Sequence, residues 1–316
     1  MTQRVLLGLV LALVGFGRAA AAEADCPPKV EVPDPQVVQQ AMRDARDRGF
    51  LWRIQRGGRT SYLFGTVHVA RFDWMFPGPT VRRSLEASDT VALELDMLDP
   101  EIQRRMAEGQ RRAETPLPEP LAQRLAAQMR EACVDPEMLA AFSPEMKLAA
   151  LSVMAARRDG LDPSFGIDIF LAGFGRGARK AVVSLETPEA QLGALQAEDA
   201  AGAVEFVEAA LTELESGRTR PMLLRIATIW AESDLAELMR YDDWCVCRTS
   251  AAEREAMKRL LDDRNPLLAD RIDALHQGGQ RVFAAVGSLH MIGPSGLPAL
   301  LAQRGYRVER VAWAGP

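Results

Sequence analysis

The chain has 316 residues, 48% of them hydrophobic and 26% charged, enough for a substantial core and too apolar for extended disorder. Its formal net charge is −5, with a pI near 5.5, so no broad basic field exists to hold a phosphate backbone. Nucleic acid is therefore excluded as a partner.

Residues 1–22 read as a secretory leader: Arg4 before an apolar run from Val5 to Phe16, then Ala20-Ala21-Ala22, with cleavage expected before Glu23. The run is too short to span a bilayer comfortably, and Gly8, Gly15 and Gly17 interrupt it. Cys26 follows Glu23-Ala24-Asp25, which is no lipoprotein box. A periplasmic or secreted protein without a stable membrane anchor is expected.

Residues 23–49 form a Pro-rich arm with a short helical stretch, and the domain proper is expected over 50–316. Phe50 to Gln55 alternates as a strand, Arg56-Gly57-Gly58-Arg59 is a tight turn, and Ser61 to Val67 returns, so His68 leaves a hairpin. Pro79 to Ala87 reads as a short helix and Thr90 to Asp96 as a third strand carrying Glu94. From Met97 to about Asn265 the apolar period becomes helical. Leu121, Leu125 and Met129, and likewise Leu148, Leu151 and Met154, mark core faces rather than a cofactor box. Inside that region Lys180 to Leu185 is a lone strand, with Thr187 and Pro188 as cap and first residue of the next helix. Ser250 to Asp262 and Pro266 to His276 read as helices, Gln280 to Val286 as a strand, Pro294 to Arg304 as a helix, and Tyr306 to Val311 as the closing strand. The fold class is α+β: one mixed sheet built from both ends of the chain, with a large helical insertion.

Four cysteines, Cys26, Cys133, Cys245 and Cys247, suit an oxidising compartment and permit three pairings. A bridge between Cys245 and Cys247 closes a very tight ring, so distant partners are expected for each. Their spacing fits no zinc pattern well.

Two of the three histidines sit in matched frames, Gly65-Thr66-Val67-His68 and Gly287-Ser288-Leu289-His290, each after an apolar run. A strand delivers such a His to its end, and the glycine lets a ligand or neighbouring backbone approach. Glu94, inside an apolar run, either faces solvent or has a partner, because a buried unpaired carboxylate costs several kcal/mol. With His68 and His290 it completes a two-His, one-carboxylate set, the ligand chemistry of open divalent-metal sites. Such an ion activates water and polarises a carbonyl, which points to hydrolysis.

Asp96 is read as a strand terminator ahead of a further ligand. Glu186, at the end of a buried strand, is a candidate general base or a group orienting a ligand. Arg264-Asn265 offers a cation for a developing oxyanion or a plain helix boundary. His276 is read as a helix cap. Ser288 as a nucleophile is set aside, since no G-x-S-x-G elbow surrounds it.

The order of these blocks resembles the TraB/GumN family, which includes the Tiki-type proteases: Leu51-Trp52-Arg53-Ile54, Tyr62 to His68, Leu93-Glu94-Leu95-Asp96, Gly166-Ile167-Asp168, Ser184-Leu185-Glu186-Thr187, Arg264-Asn265 and Val286 to His290 with Gly293 and Gly296-Leu297. The resemblance implies a metal-dependent hydrolase scaffold with His68, Glu94 and His290 at the site and Asp168, Glu186 and Arg264 as secondary candidates. It implies manganese or cobalt ahead of zinc, and a peptide or small-molecule substrate. The motifs are also similar to those of erythromycin esterases and the haem-binding ChaN group. The alternative function is therefore a non-catalytic envelope protein that binds haem, a metal or a polysaccharide-related partner. The sequence sets no oligomeric state.

Overall fold

Phe50–Arg56 (β1) and Arg59–Thr66 (β2) form the expected antiparallel hairpin, in register from Phe50 opposite Gly65 to Arg56 opposite Arg59. Gly57 and Gly58, at φ of 58° and 76°, close it with the left-handed pair that a two-residue turn requires. The computed structural model describes residues 26–313, apart from 29, 32, 111–115, 198 and 246–250. The proposed leader lies outside the described residues.

The remaining strands are Thr90–Leu93 (β3), Ala181–Ser184 (β4), Val282–Gly287 (β5) and Arg307–Val311 (β6). The six make one mixed sheet in the order β4-β3-β5-β2-β1-β6. β2, β5, β3 and β4 run parallel, whereas β1 is antiparallel to both its neighbours. The central parallel strands β3 and β5 are near-continuous apolar runs, as burial on both faces demands. Val91, Val282, Phe283, Ala284, Ala285 and Val286 are inaccessible to solvent.

Helices Pro35–Arg43 (α1), Pro79–Glu86 (α2), Pro100–Gln110 (α3), Glu119–Glu131 (α4), Pro144–Met154 (α5), Ile167–Gly177 (α6), Pro188–Leu195 (α7) and Ala200–Glu215 (α8) come first in the chain. Thr219–Glu232 (α9), Leu235–Met239 (α10), Tyr241–Trp244 (α11), Ala251–Met257 (α12), Asn265–Gln277 (α13) and Leu297–Gln303 (α14) follow. Thr187 caps α7 as expected, accepting from Ala190 N, with Pro188 in the first turn. The insertion carries a core of its own, Leu121, Leu125 and Met129 against Leu148, Leu151, Val207 and Leu211, so the helical periodicity was packing. It is fastened to the sheet by α9: Trp230, 2% exposed, donates from Nε1 to the Gly65 carbonyl at 2.8 Å.

Some expectations are corrected. β3 ends at Leu93, not Asp96, because the next amides leave the ladder: Asp96 N donates to the Ser184 hydroxyl at 3.0 Å, and the Asp96 carboxylate turns the chain by accepting from Leu98 N. The helix expected over 250–262 is α12 followed by a π-helical turn, Lys258–Asp262. The last helix starts at Leu297, since Gly293 takes a positive φ and Gly296 packs against the Ile292 backbone. Cys26 bridges Cys133 and ties the arm to the end of α4. Cys245 is also disulfide-bonded, and with Cys26 and Cys133 joined to each other the expected pairing of Cys245 with one of these distant cysteines is not made; Cys247 lies outside the described residues. No described helix is long and apolar enough to cross a membrane.

Candidate functional site

Four parallel strands end at one side of the sheet, and each releases an ionisable residue there. His68 comes two residues after β2, Glu94 directly after β3, Glu186 two after β4, and His290 three after β5 in a 3-10 turn, Ser288–Met291. The carboxyl ends of parallel strands are where α/β sheets usually place ligands, because the crossover segments leave a crevice there.

The two glycines of the matched frames have different tasks. A Cβ at Gly65 would meet Ser288 Oγ at 3.0 Å and Met291 Cγ at 3.3 Å, so this glycine lets the second frame pack on the first. A Cβ at Gly287 would stand 3.2 Å from Glu94 Oε1, 3.6 Å from His290 Cδ2 and 3.7 Å from His68 Nε2. The missing side chain leaves a cradle among the three predicted donors.

Both imidazoles are held by Nδ1. His68 Nδ1 is 2.8 Å from Asp168 Oδ2, and Asp168 also accepts from Thr66 Oγ1 at 2.8 Å. His290 Nδ1 is 2.6 Å from Asn265 Oδ1. With an acceptor at each Nδ1, a proton belongs there, and Nε2 is the nitrogen that each ring leaves for other partners. Partial loss of hydration disfavours charge on His68, but the Asp168 carboxylate outweighs it and raises the ring to about 9. Burial pushes His290 down to about 4, against the pull of Glu94 and with the help of Arg264. One edge of His68 remains open to solvent, whereas His290 is 3% exposed.

Glu94 does not face solvent. It is 5% exposed, accepts from Gly287 N through Oε1 at 2.7 Å and from Arg264 Nη2 through Oε2 at 2.7 Å. Burial opposes its charge, but His290, His68, Arg264 and the Gly287 amide more than offset this and hold the carboxyl well below its ordinary range. Arg264 bridges Glu94 to Glu186, donating from Nε to Glu186 Oε2 at 3.0 Å and from Nη2 to Oε1. Its Nη1 donates to the Leu260 carbonyl and lies 3.4 Å from His290 Nε2. Burial raises Glu186 despite that guanidinium.

All six sequence candidates are thus gathered: His68, Glu94, His290, Glu186 and Arg264 directly, and Asp168 behind His68. Others take structural roles. Asp96 pairs with Arg176 at 2.6 and 2.9 Å. Ser288, 4% exposed, donates to the Thr66 carbonyl at 2.8 Å, so its hydroxyl joins the two frames. His276 is a buried joint rather than a cap, with Nδ1 on Ser61 Oγ at 2.8 Å and Nε2 on the Arg56 carbonyl at 3.0 Å. Two contributors are missing from the sequence reading. Thr66 stands inside the first frame, but Asn265, read as a helix boundary, has no local signal for its contact with His290.

The donor chemistry fits a divalent cation: two imidazoles held by Nδ1 and one carboxylate, with His68 Nε2, the Cδ2 edge of His290 and Glu94 Oε1 around the Gly287 position. Among the described residues no three His, Cys, Asp or Glu side chains close to metal-holding spacing, and the cation on Glu94 is the Arg264 guanidinium.

No curated protein and no solved structure matches the chain. The model of the TraB/PrgY/gumN family matches residues 50–310, from the first strand of the hairpin to the last strand of the sheet. The chain belongs to the TraB/PrgY/gumN family.

Proposed function

We propose that this protein is an exported metal-dependent hydrolase, acting on peptides, in which His68, Glu94 and His290 hold a divalent ion. The observation that carries the reading is the locking of both imidazoles by Nδ1, which sets His68 Nε2 and the Cδ2 edge of His290 beside Glu94 Oε1 around the Gly287 position. Metal-binding histidines are commonly held this way, since the outer hydrogen bond fixes the tautomer and the ring direction. Manganese or cobalt is favoured, with zinc possible. When bound, the ion supplies a lowered water pKa and a polarised carbonyl.

The chain's own groups divide the remaining work. Arg264 presents a guanidinium to the negative charge that develops on the carbonyl oxygen. Glu186, kept easier to protonate by burial, takes the proton of the attacking water and passes it to the leaving amine. Asp168 and Thr66 hold His68 in place. The Cys26–Cys133 bridge suits a periplasmic or secreted location.

The test is metal content by elemental mass spectrometry, after exposure of the mature protein to manganese, cobalt and zinc, beside His68→Ala and His290→Ala. Near-stoichiometric metal in the parent, lost in both folded variants, is expected, together with chelator-sensitive peptidase activity. A parent that takes up none of the three metals overturns the proposal.

A further inference from the structure

We infer that Asn265 is the positioning residue that sets the tautomer and direction of His290. The inference concerns the ring itself, and its bearing on metal binding rests on the function proposed above.

Asn265 is 1% exposed and His290 3%, so water replaces neither side of their 2.6 Å contact. The orientation of the amide is fixed from its far end, where Asn265 Nδ2 donates to the Ser295 carbonyl at 2.9 Å. Turning the amide over would set Oδ1 against that carbonyl and leave two buried oxygens facing each other without a donor, a loss of about 1–3 kcal/mol for each unsatisfied group. Oδ1 therefore faces His290, and only an Nδ1–H ring satisfies it. Ser295 is anchored in turn, its hydroxyl donating to Asp262 Oδ1 at 2.6 Å at the end of the π-helical turn.

A helix-capping role does not account for this side chain. Asn265 is the first residue of α13, the cap position belongs to Arg264, and no side-chain cap bond is made there. The two consecutive residues instead bracket one ring: Asn265 Oδ1 lies at Nδ1, and Arg264 Nη1 lies 3.4 Å from Nε2. His68 has a carboxylate in the corresponding place, Asp168, whereas His290 has a neutral amide. The amide fixes the ring without adding negative charge beside Glu94 and Glu186.

The experiment is imidazole nitrogen NMR on the full-length mature protein without metal, with His290→Ala used to assign the ring. Parent His290 is expected as the Nδ1–H tautomer. Asn265→Ala should convert it to Nε2–H or a mixture, and should weaken manganese or cobalt binding by ~10- to 100-fold, the range usual for loss of such a partner. Asn265→Asp keeps the acceptor and should keep Nδ1–H, with its proton resonance moved downfield by the carboxylate. An unchanged tautomer in Asn265→Ala overturns the inference, and so does an unmoved Nδ1–H resonance in Asn265→Asp, which serves if the alanine variant does not fold. A parent that binds no metal counts against the proposed hydrolase and leaves the tautomer result to decide the role of Asn265.

Discussion

A methyl group added at Gly287 would enter the space between Glu94, His290 and His68 without removing any donor. The backbone there, φ −48° and ψ 140°, accepts any L-residue, so the change acts on space alone. Gly287→Ala is expected to weaken manganese binding by at least ~10-fold, because displacing buried groups around an extra methyl costs about 1–3 kcal/mol. Calorimetric titration beside thermal unfolding checks it: retained affinity in a folded variant would mean that the ion, if held, sits elsewhere. At this scale the sequence is most legible where a residue type is costly in its local context. Glu94 in an apolar run and two histidines after Gly-x-x are visible because burial demands a partner for each. Asp168, Thr66 and Asn265 are less so. Thr66 and Asp168 meet across 102 positions and His290 and Asn265 across 25, and no local pattern encodes such a meeting.

Helix α13 is held at both ends by different parts of the molecule. Its first turn carries Arg264 and Asn265 to the site, and its last turn meets the hairpin through His276 and through Asp273, which binds Arg56. Tyr306, just before β6, completes the joint: its hydroxyl donates to Asp273 Oδ1 at 2.8 Å, and its ring lies edge-on to His276 at 4.9 Å. Burial, then the Asp273 bond, raises the Tyr306 phenol well above its ordinary value. The folded state therefore holds this proton more tightly than the unfolded chain. The resulting stabilisation is complete below about pH 10, the ordinary tyrosine value, and is lost as pH rises above it. Part of the tyrosinate absorbance should then appear only with alkaline unfolding, and Tyr306→Phe should remove that part. If the Tyr306 component titrates fully in the folded protein near pH 10, the account fails. The helix itself was legible from its apolar period. The π-helical turn before it was not, because the apolar period reads as one continuous helix through Asp262.

For the whole molecule, the Cys26–Cys133 bridge spans a separation of 107 residues and joins the arm to the helical insertion. In the chain-entropy account a loop of this size contributes at most about 4–5 kcal/mol. Cys26→Ser should lower the guanidinium unfolding midpoint accordingly, with Cys245 still bridged in parent and variant alike, and an unchanged midpoint would refute a stabilising role. The α+β class and the contribution of both chain ends to one sheet were legible, since strand-type and helix-type periods occupy different stretches. The strand order was not, because β1, β2, β3 and β5 are similar apolar runs and nothing local says which pair.

That order makes β5 a keystone. It lies between β2 and β3, pairing Tyr62 to Thr66 on one side and Thr90 to Leu93 on the other. A ribosome delivers both neighbours long before β5, which starts at Val282 whereas β2 ends at Thr66 and β3 at Leu93, so until then the hairpin and the β3-β4 pair share no border. The donors His68 and Glu94 belong to these separate pieces, and the third donor arrives on the strand that joins them. Sheet closure and site assembly are therefore one event, and a chain halted before β5 has no partially built site with which to act.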